Sequence, residues 1–248
     1  MASANMLLKT GLRLLISDVL VQIRTLKNVC IFEDFNESIV PILHEYCLDL
    51  WGPGPGVTLL RPIDHGLGQS FAAMSLGLEC LAVSYMIEAE DFFMGCAKQR
   101  SSTWETLQSL ALTSRSLRRH GSREAIEDLL CDAGRAALQM PKLQTLVIWH
   151  GAKGVASAFI YRVKAGVCAS VQWRGLWSFE LAGRVQEAWQ RVADKFGLFG
   201  LCVEDEQHIT EPVLSHGDAI HHLNLPCQVI SPVSLWQIRR EGALPWRR

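Results

Sequence analysis

Leu143-Gln-Thr-Leu146-Val-Ile148-Trp149 carries aliphatic side chains at its first, fourth and sixth positions. The same spacing recurs as Leu26-Lys-Asn-Val29-Cys-Ile31-Phe32, Leu78-Glu-Cys-Leu81-Ala-Val83-Ser84 and Leu107-Gln-Ser-Leu110-Ala-Leu112-Thr113. An L-x-x-L-x-L run reads as a short strand entering a core, and its recurrence reads as a repeat in which neighbouring copies stack. Each copy therefore predicts one parallel strand. Counted from first Leu to first Leu, the copies lie 52, 29 and 36 residues apart, enough for the crossover helix that parallel neighbours require. The linkers agree: Ile126, Leu129, Leu130, Ala133 and Ala137 keep helical spacing until Pro141, and Ile39, Ile42, Leu43, Tyr46 and Cys47 do so after the first copy. Trp51-Gly-Pro-Gly-Pro-Gly56 adds a turn-rich insertion to the longest linker.

Past residue 149 the repeat decays. Ala169-Ser-Val-Gln-Trp173 and Ser178-Phe-Glu-Leu181 predict two short strands about a turn at Gly175. Val185, Ala188, Trp189, Val192 and Phe196 form one helical stripe that Gly197 ends, and Leu201-Cys-Val203 predicts a further strand. Ser215-His-Gly-Asp218 fits a capping box, and Ser231-Pro232 opens a last helix that Gly242 is expected to stop. The expected fold is α/β, an irregular leucine-rich-repeat-like solenoid of parallel strands alternating with helices and closed by a helical C-terminal cap. It is expected as one domain over residues 1–248, repeat-like over about 24–150 and strand-helix and cap over about 151–241.

Hydrophobic residues make up 49% of the chain and charged residues 20%, which excludes a disordered chain. With 24 basic and 25 acidic side chains the formal net charge is -1, so no broad basic footprint exists and no nucleic-acid partner is expected. Lys9, Arg13 and Asp18 break the apolar N-terminal stretch before it reaches the ~18 residues of a membrane span, and no membrane partner is expected. The cysteines at 30, 47, 80, 96, 131, 168, 202 and 227 are spread singly without a CxxC, and read as reduced, mostly buried thiols of a cytoplasmic protein. Residues 1–17, with Lys9, Arg13 and no acid, only weakly imitate a transit peptide, and Asn36-Glu37-Ser38 is a formal sequon without a secretory context.

Ile31-Phe-Glu-Asp-Phe-Asn36, Ala89-Glu-Asp-Phe-Phe93, Leu110-Ala-Leu-Thr-Ser-Arg115, Ala136-Ala-Leu-Gln-Met-Pro-Lys-Leu143, Trp173-Arg-Gly-Leu-Trp177 and Ser215-His-Gly-Asp-Ala-Ile-His-His222 together give the chain a family likeness. Over most of residues 24–240 it resembles the C-terminal region of fungal F-box-type proteins of unknown function. The resemblance implies a leucine-rich-repeat-like scaffold that presents a target to a ubiquitin ligase through a separate F-box, and it brings no catalytic residues. Residues 1–25 hold neither the expected Leu-Pro opening nor room for three helices, so binding of a ligase adaptor is not expected of this chain.

In such a scaffold heptad positions three, five and seven line one face: Asn28, Cys30, Phe32; Cys80, Ala82, Ser84; Ser109, Ala111, Thr113; Thr145, Val147, Trp149. None is charged. A lining this small and apolar suits a compact hydrophobic ligand or an internal helix lying in the groove, although plain packing explains it equally well. The candidate ligand-binding residues are Phe32 and Trp149 as walls, with Glu33, Asp34, Ser84, Tyr85, Thr113, Arg115 and His150 as polar groups at the strand ends. Trp173-Arg174-Gly175-Leu176-Trp177 adds a guanidinium between two indoles, placed to hold an anion or carbonyl; the plainer account is a surface Arg in a tight hairpin.

His216, Asp218, His221 and His222 are the only cluster of metal-ligating types, but the capping box already uses Asp218 and the HExxH spacing is missing. No metal and no cofactor are expected. The chain has no GxxxxGK[ST], complete GxGxxG or GxSxG, so no catalytic residue is nominated. The leading expectation is a module that recognises a small hydrophobic molecule or a protein target. The alternative is a cofactor-free cyclase or isomerase of fungal secondary metabolism, a Diels-Alderase-type pericyclase for example, that folds a hydrophobic substrate in the groove by positioning alone.

Overall fold

The structure, a computed structural model, describes residues 25–34, 65–99, 101–164 and 168–243. The stripe from Ile39 to Cys47, the insertion at 51–56, the sequon at Asn36 and residues 1–17 lie outside the described residues. Eight strands form one sheet: β1 (Asn28–Phe32), β2 (Cys80–Ser84), β3 (Ser109–Thr113), β4 (Thr145–Ala152), β5 (Val155–Lys164), β6 (Cys168–Gly175), β7 (Leu201–Val203) and β8 (Gln207–His208). The order is β1-β2-β3-β4-β5-β6-β7, with β8 also on β6. β1 to β4 are parallel, β4-β5-β6 are antiparallel, and β7 and β8 run parallel to β6. The sheet is mostly parallel and is not closed into a barrel.

The four heptapeptides lie side by side and in step. Asn28 faces Cys80, Cys80 faces Ser109, and Ser109 faces Thr145, so equivalent heptad positions are neighbours in all four strands. Strand alternation then sends positions four and six to one face. Val29, Leu81, Val83, Leu110, Leu112, Leu146 and Ile148 enter a single core there, joined by the position-one leucines 78, 107 and 143. That core also takes the buried sides of four helices, α1 (His65–Met74), α2 (Ala89–Lys98), α3 (Arg123–Ala137) and α4 (Gly183–Lys195). The helices between successive parallel strands therefore share one layer.

The helix stripes explain their packing. Ser122 caps α3 by accepting the Ala125 amide, and Ile126, Leu129, Leu130, Ala133 and Ala137 face the sheet. In α4 Val185, Trp189, Val192 and Ala193 are buried, and the chain turns away at Gly197 with φ 67°. Two further helices, α5 (His216–Leu223) and α6 (Pro232–Ala243), belong to the other face. Ser215 accepts the Asp218 amide at 3.1 Å as the capping box requires, while the Asp218 carboxylate accepts from the Leu214 amide at 3.3 Å instead of that of Ser215. Ser231 accepts the Ser234 amide at 3.2 Å, opening α6 as expected.

Four expectations need correction. Residues 178–181 are not a strand: Phe179 and Leu181 are buried by packing against Trp173 and the helix layer, with no ladder partner. Gly242 lies inside α6, which runs to Ala243. The C-terminal helices do not cap an end of the sheet, because α5 packs on β4 and β5 and covers a face. Of the seven described cysteines, only Cys96 is buried; Cys30 and Cys202 are exposed and the others intermediate, and all seven are free thiols.

Candidate functional site at the carboxyl edge of the parallel strands

Because the register is level, Phe32, Ser84 and Thr113 end β1 to β3 in one row with Trp149 of β4, which runs on to Ala152. Residues 33–34, 85–88 and 114–118 leave the first three strands here, and the start of α2 at 89–90 and residues 150–151 of β4 lie beside them. In doubly wound α/β sheets ligands bind in crevices outside the carboxyl ends of the strands, and connecting loops commonly carry function. The groups divide between the two faces of the sheet.

On the α5 face, Tyr85 is the hub. It holds φ 64°, a left-handed conformation that costs a non-glycine residue about 1–2 kcal/mol. Its amide donates to Thr113 Oγ1 at 2.7 Å and its hydroxyl to the Gly151 carbonyl at 2.8 Å. Its ring meets Phe32 edge-on at 5.4 Å and Trp149 at 5.2 Å, with His216 at 6.1 Å. His216 Nε2 lies 3.1 Å from Asp34 Oδ1, tying the end of β1 to the start of α5. Gly151 must be glycine, because a Cβ there would stand 2.7 Å from the Ala219 Cβ of α5. The Glu33 amide prolongs the ladder onto the Ser84 carbonyl, and Ser84 Oγ donates to the Val229 carbonyl at 3.3 Å.

On the helix-layer face the groups are charged. Glu88 accepts the Arg115 amide at 2.8 Å and the Arg115 Nε–H at 2.6 Å. Glu90 Oε1, at the start of α2, accepts from both Ser114 Oγ and Ser116 Oγ at 2.6 Å. Arg118 Nε donates to His150 Nε2 at 3.3 Å. A guanidinium only donates, so Nε2 is the acceptor and the ring proton sits on Nδ1. His150 is 5% exposed, and its Nδ1 has no hydrogen-bond partner among the described residues. Burial, reinforced by the charges of Arg118 and Arg115, pushes the His150 pKa down to about 3. Burial and the neighbouring Arg115 likewise lower the Arg118 pKa.

Ser114 and Ser116 both donate to the Glu90 carboxylate, and His150 spends Nε2 on Arg118, so His150 serves neither serine as a base. Burial raises the thiol pKa of Cys96 to about 12 and of Cys227 to about 11, the reverse of nucleophile activation. Among the described residues no three His, Cys, Asp or Glu side chains gather closely enough to hold a metal ion. Asp218 instead serves the Leu214 amide and Arg239.

The structure thus brings Phe32, Asp34, Tyr85, Thr113, Arg115, Trp149 and His150 to one edge, with Glu33 and Ser84 beside them. Sequence reasoning missed Glu88, Glu90, Ser116 and Arg118, and read His216 only as a metal-type residue. The groove on the α5 face holds the second of its two expected occupants, an internal helix: Ala219, Ile220 and Leu223 of α5 pack on Ala82, Ala111, Val147 and Trp149.

Trp173 and Arg174 are elsewhere and apart. As strand neighbours they point to opposite faces. Trp173 packs in the helix-layer core with Trp177 and Phe179 at 4.8 and 4.7 Å, while Arg174 is 7% exposed under α5. The guanidinium is therefore neither stacked between indoles nor on the surface. Nη1 donates to the carbonyls of Leu223 at 2.6 Å and Asn224 at 2.8 Å, and Nη2 to Gln172 Oε1 at 3.0 Å. It does hold carbonyls, but they belong to the C-terminus of α5.

No helix among the described residues is long and apolar enough to cross a membrane. No curated protein and no solved structure matches the chain. Residues 21–231 match the family model described as a family of unknown function, DUF6546, and the chain belongs to that family.

Proposed function

We propose that the chain is a recognition module on a leucine-rich-repeat-like solenoid scaffold of the F-box receptor type, reading its ligand or protein target at the carboxyl edge of β1 to β4. The one-sided winding of helices α1 to α3 between parallel strands in step supports the scaffold reading. The observation that carries the functional reading is the convergence of the strand ends. Aromatic, acidic and basic side chains from all four repeats meet where both faces of the sheet are otherwise covered by helices. Asp34 is exposed, and Phe32, Tyr85 and Arg115 are partly so. The strain held at Tyr85 agrees with a site at which geometry was favoured over stability. A cyclase acting on an apolar substrate would need the groove that α5 fills, so the edge reading is preferred.

The test is capture. The purified chain is incubated with a metabolite extract and with candidate polypeptides, and what co-purifies is identified by mass spectrometry. The variants are Phe32→Ala and Asp34→Asn at the edge and Arg191→Gln on α4. A compound or polypeptide held by the wild type and by Arg191→Gln, but lost from the edge variants, supports the proposal. Retention that ignores the edge variants, or conversion of the retained compound into a product, overturns it.

A further inference from the structure

Two guanidiniums at this edge are fixed in the same unusual way. Arg115 is anchored through Nε on Glu88 Oε1, and Arg118 through Nε on His150 Nε2. Neither Arg places an Nη group on a described residue, and Arg118 has no carboxylate within ion-pair distance among them. An arginine held by its Nε keeps its terminal fork free and its plane oriented, which is the arrangement for bidentate contact with an oxyanion. Of the nearby carboxylates, Glu88 is engaged by Arg115 and its amide, and Glu90 by two serine hydroxyls through Oε1, its Oε2 being buried without a partner among the described residues. His150 can accept from Arg118 only as a neutral imidazole. A buried side chain with one ring nitrogen spent on this arginine, and the other unpartnered among the described residues, has a positioning role as its best physical account.

We propose that Arg115 and Arg118, with His150 as the positioning residue under Arg118, form a binding site for a tetrahedral oxyanion, a phosphate group first. The inference rests on the edge reading above and deepens it. The phosphate can be that of a small phosphomonoester or of a phosphorylated side chain in a polypeptide; the two sources share the chemistry and separate in the assay.

Calorimetric titration at constant ionic strength with inorganic phosphate, glycerol phosphate and a phosphoserine peptide tests it, using the wild type, Arg118→Gln, Arg118→Lys and the remote Arg191→Gln. The expected result is saturable phosphate binding, weakened about tenfold or more by Arg118→Gln and nearly as much by Arg118→Lys, since an ammonium cannot reproduce the fork. Arg191→Gln should bind as the wild type does. A phosphoserine peptide binding well above inorganic phosphate, with its unphosphorylated form inert, assigns the source to a polypeptide; equal affinities for the three probes assign it to a small molecule. Absence of saturable binding by all three probes, or binding unchanged in Arg118→Gln, overturns the proposal. If phosphate fails to bind while the edge variants still abolish capture, this inference falls and the recognition reading stands.

Discussion

Replacing Arg174 with alanine removes the group that holds the C-terminus of α5 on the sheet. Two carbonyls, those of Leu223 and Asn224, lose a charged donor at 2.6 and 2.8 Å in a place where the arginine itself is only 7% exposed. Hydrogen bonds to a charged group contribute about 1.5–3 kcal/mol each, so the gross loss is roughly 3–6 kcal/mol. Relief of the desolvation of a buried guanidinium returns roughly half of that. The net expectation is about 1.5–3 kcal/mol, and for a chain of this size a fall in Tm of roughly 3–12 °C. Urea unfolding followed by tryptophan fluorescence measures it, provided the denaturant slope stays constant so that the midpoint reports stability. Arg174→Met separates the contributions, because it keeps most of the side-chain volume and still orphans the carbonyls; it should lose nearly as much. A change below about 0.5 kcal/mol in both variants would show that the arginine does not secure α5.

His150 supplies a pH prediction. Its folded pKa, about 3, lies below the ordinary imidazole value of 6.5, so the unfolded chain binds the extra proton between those limits. The resulting stability is complete above pH 6.5 and is lost as pH falls towards 3, at up to about 1.4 kcal/mol per pH unit. Subtracting the same acid titration of His150→Gln should isolate this slope, and parallel curves would contradict it. Tyr85→Phe deletes the hydroxyl on the Gly151 carbonyl and should cost about 1 kcal/mol in urea unfolding; no loss would mean that bond is not made in solution. Gly151→Ala drives a methyl into Ala219 and should destabilise by about 1–3 kcal/mol, with loosening of α5 visible by near-UV circular dichroism; wild-type stability would refute the close approach. Brief iodoacetamide treatment should label Cys30 and Cys202 in the native chain, and Cys96 only after unfolding, as peptide mass spectrometry would record.

The parallel half of the sheet was legible because its strands bury aliphatic side chains at fixed spacing, and the in-step pairing followed from the identical heptads. β5 was not legible. It is buried on both sides, with Phe159 and Tyr161 in one core and Ala156, Ala158 and Ile160 in the other, so alternation is invisible and its small residues carry little β signal. Phe179 and Leu181 mimicked a strand through alternate burial alone. At the edge, the heptad positions named Phe32, Ser84, Thr113 and Trp149 directly, whereas Glu88 and Arg118 sit in connecting segments and Glu90 in the first turn of α2, which only the tertiary register brings together. The placement of Arg174 was recoverable: once Trp173 is assigned to one face of a strand, its neighbour must point to the other. The tryptophans on either side of it in sequence drew attention to stacking instead.

Placing the site at the edge depends on α5 being an integral part of the sheet face and not a removable plug. Native-state hydrogen exchange over residues 216–223, compared with β3 at 109–113, measures this directly. The account predicts that the α5 amides exchange with the same free energy as those of β3, through global unfolding. Exchange of α5 through a local opening several kcal/mol cheaper would expose Ala82, Ala111 and Val147 as a vacant groove and return the binding site to the sheet face.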